Sequence, residues 1–188
     1  MTTMPDKDFA ALYDRYYGRI HGFIQARVQE AWHADDLTQE TFLQARRRID
    51  SLRDIGKIKS WLFRIAYNMC QDHYREVVNR PGLLIPLEGT GGIPDPHGME
   101  KSLEQQQMCS CVQKHIQLLP DDYRTVLWLY DVLGFTHKEI GEVLGINAGN
   151  VKVRLHRARK KMKAILESNC LFERDESNVF VFVPEKTG

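Results

Sequence analysis

No stretch of this chain approaches the roughly 20 consecutive apolar residues that a helix needs to cross a bilayer, so no membrane insertion is expected. The opening Met1-Thr-Thr-Met-Pro-Asp-Lys-Asp has no apolar core, so no signal peptide is expected and the expected compartment is cytoplasmic. Cysteine is scarce: Cys70, Cys109, Cys111 and Cys170 are too few and too irregular for a disulfide framework and are expected as reduced thiols. The parts of an active site are missing too. There is no nucleophile with a matched base, no glycine-rich phosphate loop and no HExxH-type metal pair, so neither an enzyme nor a cofactor is expected. Internal repeats are absent. Net charge is only +1, and 27% charged with 43% apolar residues describes an ordinary globular protein.

One local absence is more informative. No acid lies between Glu142 and Glu167, while Lys152, Arg154, Arg157, Arg159, Lys160, Lys161 and Lys163 crowd into about three helical turns. In a nearly neutral chain, such a concentration of cations suits phosphate contact. It begins inside a helix, turn, helix pattern running from Gly134 to Lys163. Thr136 and Glu139 form a capping box for the first helix. Ile140, Val143 and Leu144 give it an apolar face, and Gly145 ends it in a left-handed position. Asn147 is placed to cap the second helix, which carries apolar Val151 and Leu155. Gly141 sits where two such helices must approach closely. The bland alternative is a solvated helix face on an ordinary helical hairpin.

The first half reads as three helices. Phe9, Leu12, Tyr13, Tyr16, Ile20, Phe23, Ile24 and Val28 repeat at three and four. Asp35 or Asp36 is expected to cap a second helix reaching about Ile49, with Leu37, Phe42 and Ala45 inward. A third, from Ile58 to Val78, has its stripe at Ile58, Trp61, Leu62, Ile65, Ala66, Met69 and His73. From Asn79 the periodicity fails amid prolines and glycines, and residues 81–107 carry four acids against one base, Lys101. Helical pattern resumes with Leu103, Met108, Val112, Ile116 and Leu119. Pro120 is expected at a first helical position, followed by Asp121 and Asp122 at the positive dipole end. Asn178 to Pro184 reads as a β-type run. The expected fold is therefore all-α, two small helical bundles joined by a flexible linker. The expected divisions are 1–80, a linker 81–102, a second domain 103–167 and an extension 168–188.

Two more surfaces stand out. Arg64, Asn68, Gln71 and Arg75 share one face of the third helix, with Tyr67 and Tyr74 beside it and Lys57 and Lys59 before it. Cations, amides and aromatics together are the parts of a single-strand binding surface. The same pattern also describes the wet side of an amphipathic helix with two half-buried tyrosines. On the second helix, Asp36, Gln39 and Glu40 project together, a shape suited to a basic protein partner. Capping accounts for Asp35 and Asp36 but not for Gln39 and Glu40.

Asp35-Asp-Leu-Thr-Gln-Glu-Thr-Phe42, Trp61-Leu-Phe-Arg-Ile-Ala-Tyr-Asn68, Leu119-Pro120 and Val151-Lys-Val-Arg-Leu-His-Arg-Ala-Arg159 resemble the extracytoplasmic-function group of bacterial sigma factors. The resemblance spans roughly residues 8 to 166, in order and spacing. It implies an initiation factor whose first domain binds the clamp helices of core RNA polymerase and melts minus-ten promoter DNA. The second domain would sit on the polymerase flap and read the minus-thirty-five element. Carried over, Asp36, Gln39, Glu40 and Phe42 match the polymerase-binding helix. Lys57 and Lys59, within the loop from Arg53 to Ser60, and the face Trp61, Arg64, Tyr67, Asn68, Gln71 and Arg75 match the melting region. Asn147, Asn150, Lys152, Arg154 and Arg157 match the recognition helix, where Asn and Arg read base edges and other cations hold the backbone. The resemblance also implies an anti-sigma factor as partner and an acidic linker near the RNA path; a sensing role for the C-terminal extension 168–188 is the alternative means of regulation.

The tail and the cysteines depart from the family pattern. Cys109, Cys111, His115 and Cys170 stand open between a metal or redox site and buried small hydrophobes. His73, on the apolar stripe, reads as a packed histidine. The rival class is a one-component regulator, which also uses a helix-turn-helix but carries a ligand-binding or dimerising domain.

Overall fold

The computed structural model describes residues 6–28, 31–78, 115–169, 171–174 and 180–183. Helices α1 (Asp6–Val28), α2 (Ala31–Arg48) and α3 (Ile58–Val78) form the first unit, with two short 3-10 turns, Ile49–Ser51 and Ile55–Lys57, leading into α3. The second unit holds α4 (Asp121–Leu127), α5 (His137–Leu144) and α6 (Ala148–Asn169). The described parts of the tail pair as an antiparallel hairpin, β1 (Leu171–Arg174) with β2 (Phe180–Val183), Leu171 opposite Val183. The fold is all-α in two helical units, as expected, and the β-type run expected in the tail forms β2. The linker 81–102, the start of the second domain (103–114), Cys109, Cys111 and Cys170 lie outside the described residues.

In α1, Leu12, Tyr16, Ile20, Phe23 and Ile24 are buried, the stripe that the three-four spacing predicts. Helix α2 departs from expectation at its start. It already includes Ala31 to Ala34, so Asp35 and Asp36 sit in its second turn rather than at a cap. Asp35 instead lies 2.9 Å from His21 Nε2, pinning α2 to α1. Thr38 and Thr41, both fully buried, donate to the carbonyls of Ala34 and Leu37 and so carry no unmet polar group into the core.

The stripe on α3 is wider than the sequence suggests. Leu62, Ile65 and Ala66 are buried as expected, but so are Phe63 and Cys70. The reason is tertiary. Phe63 meets Phe23 edge-on at 5.4 Å on one side and Phe135 of the second unit at 4.9 Å on the other. Each such edge contact contributes about 0.5–1.5 kcal/mol beyond area burial. The two units therefore share one continuous apolar core where the sequence suggests two separate ones.

Pro120, expected as the first helical residue, is instead the N-cap of α4, which begins at Asp121, and its carbonyl accepts from Tyr123 and Arg124. After Leu127 the helix widens into a π-type turn, Trp128–Val132, which Gly134 ends at φ 66° while Phe135 N–H donates back to Leu129 O. That reversal delivers Phe135 into the interface between the units.

Candidate nucleic-acid and partner interfaces

The helix-turn-helix forms as its residues dictate. Thr136 Oγ1 accepts from Glu139 N–H while the Glu139 carboxylate accepts from Thr136 N–H, a reciprocal capping box. Burial raises the Glu139 carboxyl, but the hydrogen bonds from Thr136 and the Lys59 charge outweigh it and leave its pKa below the usual value. Gly145 takes φ 69° and closes α5. Gly141 faces the turn so closely that a Cβ there would lie 2.6 Å from Ile146 O. Asn147 Oδ1 accepts from Asn150 N–H at 2.8 Å, capping α6.

Helix α6 buries Val151, Leu155, Ala158 and Met162. Its exposed arc is Gly149, Asn150, Lys152, Val153, His156, Arg157 and Lys160. Asn150, Lys152 and Arg157 are thus brought together where duplex DNA can reach them. Two other expected readers are occupied: Asn147 by its capping bond, and Arg154 by Asp122 of α4 at 3.1 Å. Arg154 sits on the flank because it falls beside buried Val151 and Ala158 on the helical wheel. Val153 and His156 are exposed members of the same arc beyond the expected readers, marked in the sequence by spacings of three from Asn150 and four from Lys152.

On α3, Tyr67, Asn68, Gln71 and Arg75 line one open groove together with Asp72. Arg75 reaches Asp72 at 2.9 Å, an exposed pair that solvent weakens. Burial pushes the Tyr67 and Tyr74 hydroxyls above their ordinary pKa, so both remain neutral donors. A second hollow brings Trp61 and Arg64 together with Leu52, Lys57, Ser60 and Glu142. Here the α3 entry meets α5. Lys57 Nζ lies 2.9 Å from Glu142 Oε1, and Ser60 Oγ donates to Glu142 Oε2 at 2.8 Å. Those two hydrogen bonds, Lys57 first, hold the Glu142 carboxyl below its usual range. Lys59 Nζ sits 3.8 Å from the Phe135 ring centre and 3.8 Å from Glu139, and its burial lowers its pKa. The expected melting residues therefore fall in two hollows along α3, with Lys59 in neither and held against Phe135 and Glu139 of the second unit.

On α2, Asp36 and Gln39 are exposed and Glu40 is half-buried, where Gln44 donates to it at 3.1 Å. Phe42 is inward as its spacing predicts, only 3% exposed and packed on Tyr13 at 4.7 Å and Tyr17 at 6.2 Å, so it lies beneath the face rather than on it. The apolar member of the face is its neighbour Leu43, 49% exposed, on the same side as Asp36 and Gln39 by the spacing of seven and four. The sequence signal for Leu43 was that spacing.

His115 is half-buried, and no group of three or more metal-ligating side chains occurs among the described residues; the cysteines that would complete its set lie outside them. Cys70 is fully buried, and burial pushes its thiol up to about 11. His73 packs on His33 with ring centres 4.5 Å apart. No described helix is long and apolar enough to cross a membrane.

Comparison with known proteins agrees with this geometry. The family profile for Sigma-70 region 2 matches residues 12–78, and that for Sigma-70, region 4 matches residues 109–162. The chain is 32% identical over 168 residues to RNA polymerase sigma factor SigZ of Bacillus subtilis, covering 87% of this chain and 90% of that protein. It is 33% identical to the ECF RNA polymerase sigma factor SigW of the same organism, over 84% and 89% of the two chains. The chain belongs to the extracytoplasmic-function group of sigma-70 factors. Its fold is shared with the sigma factor RpoE solved in complex with the anti-sigma factor NepR from Bartonella quintana: TM-score 0.68, 24% identity, over 87% and 99% of the chains. It is shared also with CnrH, solved with the cytosolic domain of CnrY: TM-score 0.64, 23% identity, over 88% and 91%. As a sigma factor, the chain directs promoter-specific transcription initiation. Its region 2 corresponds to α1–α3 and its region 4 to α4–α6 with the helix-turn-helix.

Proposed function

We propose that this sigma factor engages core RNA polymerase through Asp36, Gln39, Glu40 and Leu43 on α2, seated against the clamp helices. Phe42 holds that face in shape from beneath. The minus-ten strand is taken by Lys57, Lys59, Trp61 and Arg64 and by the groove of Tyr67, Asn68, Gln71 and Arg75. Amides meet base edges, rings stack on bases and cations meet phosphate. The minus-thirty-five duplex is read by the exposed arc of α6, with Asn150 and Arg157 at base edges and Lys152 on the backbone. Asn147 sets the start of that helix, and Arg154 joins the contact once released from Asp122, with region 4 resting on the polymerase flap. The working divisions are region 2 in residues 1–80, a linker 81–102, region 4 in 103–167 and an extension 168–188. The site of action is cytoplasmic, where core polymerase works, and the chain supplies no catalytic group of its own.

One arrangement carries this reading: a single chain holds a polar face with an exposed leucine, then a cationic and aromatic face, then a helix-turn-helix with a cationic outer arc. An anti-sigma protein is the proposed regulator, by analogy with the RpoE structure, and the Asp36, Gln39 and Leu43 face is where it would compete with polymerase. Footprinting on a promoter fragment tests the proposal. Protection of both promoter elements is expected only when core polymerase and the chain are added together. Full protection of duplex DNA by the chain alone, unchanged by polymerase, would instead make it a one-component regulator.

A further inference from the structure

Arg27, on α1, is a charged residue that nothing in the assignment above uses, and it is 1% exposed. Its guanidinium lies between the two units. Nη2 is 2.8 Å from Asp121 Oδ2, Nη1 donates to Thr125 Oγ1, and both partners belong to α4. From the other side the guanidinium stacks on Tyr67, 4.7 Å from the ring centre, and on Phe23 at 5.8 Å. Tyr74 donates its hydroxyl to the Arg27 carbonyl, fixing the backbone there. Yet the closed arrangement fits this arginine poorly, because its Nε has no hydrogen-bond partner, and neither does Asp121 Oδ1. Buried ion pairs with leftover donors contribute little to stability, since desolvation offsets the attraction.

The position of that guanidinium matters more than its pairing. Tyr67, the ring beneath it, is a wall of the groove that also holds Asn68, Gln71 and Arg75. What α4 presents to Arg27 is a carboxylate oxygen and a hydroxyl oxygen, two acceptors side by side. A phosphodiester offers the same pair to a planar two-pronged donor. Asp122, the next residue, holds Arg154 of the recognition helix at 3.1 Å, so one acidic pair on α4 occupies an arginine from each promoter-reading unit.

We propose that Arg27 is a phosphate contact for the melted minus-ten strand, masked in the closed chain by Asp121 and Thr125 standing in the place of the phosphate. When polymerase draws the units apart, the arginine stays stacked on Tyr67 with both prongs open at the edge of the groove. The strand backbone then replaces the carboxylate. This inference rests on the reading of the α3 face as the single-strand site.

The test is binding of a labelled non-template strand, from a promoter the holoenzyme is shown to use, measured across a salt series. In holoenzyme, Arg27→Gln should weaken binding about tenfold, the scale of one charge-assisted hydrogen bond. It should also lower the slope of log K against log salt by about 0.7, the share of one phosphate on a single strand. Arg27→Lys should keep the slope. An unchanged slope in Arg27→Gln overturns the proposal, whatever happens to affinity, because a merely structural arginine releases no counterion. Should that variant fail to fold, Asp121→Asn in the free chain serves: strand binding should rise several-fold, and no rise overturns the proposal. Loss of binding in Asn68→Ala and Gln71→Ala with Arg27→Gln unaffected removes only this inference. No loss in any of the three removes the α3 reading as well.

Discussion

Gly141→Ala sets two physical effects against each other, and the structure decides the sign. Gly141 lies inside α5, where alanine is favoured over glycine by about 0.8–1.0 kcal/mol. Propensity alone therefore expects a more stable protein. The new methyl, however, would stand 2.6 Å from Ile146 O, with Ala148 N and Asn147 C at 3.7 Å behind it. All three obstacles are backbone, so no side chain can swing aside. They also belong to the turn that Gly145 and the Asn147 cap hold in place, and Ile146 N–H already donates to Gly141 O at 3.1 Å. Relief requires α5 and α6 to part, an overpacking cost of about 1–3 kcal/mol. The net is a destabilisation of up to about 2 kcal/mol, or as much as roughly 8 °C in melting temperature for a chain of this size. Thermal unfolding followed by circular dichroism reads it, and minus-thirty-five duplex binding should weaken in parallel as Asn150 and Arg157 shift. A rise in melting temperature would refute the close approach of the two helices.

Three further outcomes are expected. Leu43→Glu should weaken core polymerase binding several-fold in a pull-down while leaving the helical spectrum unchanged, because Leu43 is half exposed and outside the core; full binding would remove it from the interface. The Glu142 contact should respond to acid: its carboxyl is depressed by Lys57 and Ser60, so its contribution to closure is complete above the ordinary glutamate pKa of about 4.3 and is lost as pH falls through the depressed value. Energy transfer between labels on the two units should report that loss, and Glu142→Gln should erase its acid limb; an identical limb in the variant would assign it elsewhere. Cys70, with its thiol at about 11 and fully buried, should resist alkylation at pH 8 in the native chain and react once unfolded, read peptide by peptide in a mass spectrometer.

The helix-turn-helix was legible because every determinant is local. Thr136, Glu139, Gly145 and Asn147 each act within four residues of where they stand, and Gly141 differs from its neighbours only in lacking a side chain. The α3 face was legible for the same reason, as a helical spacing of Arg64, Asn68, Gln71 and Arg75. What was hidden depends on partners far along the chain. Phe63 is core on both sides only because Phe135 arrives from the second unit. Arg154 is drawn aside by Asp122, and Arg27 by Asp121, 94 positions away. Phe42 was legible as an inward position from its spacing, and the packing of Tyr13 and Tyr17 keeps it there, although the family motif also places it at the polymerase face. Local chemistry named the surfaces; tertiary pairing decided which of their residues are free.

Run-off transcription tests the central claim most directly. Core RNA polymerase is supplied with a linear template bearing a promoter mapped after overexpression, with and without the purified chain. The account predicts a transcript of defined start only when the chain is present, its yield cut several-fold with Leu43→Glu at limiting chain through weaker core binding. It also predicts that the transcript survives Leu43→Ser at reduced yield, because a smaller polar side chain leaves the rest of the α2 face intact. A transcript of the same start and yield from core polymerase alone, or none with the chain under any salt condition, would contradict it.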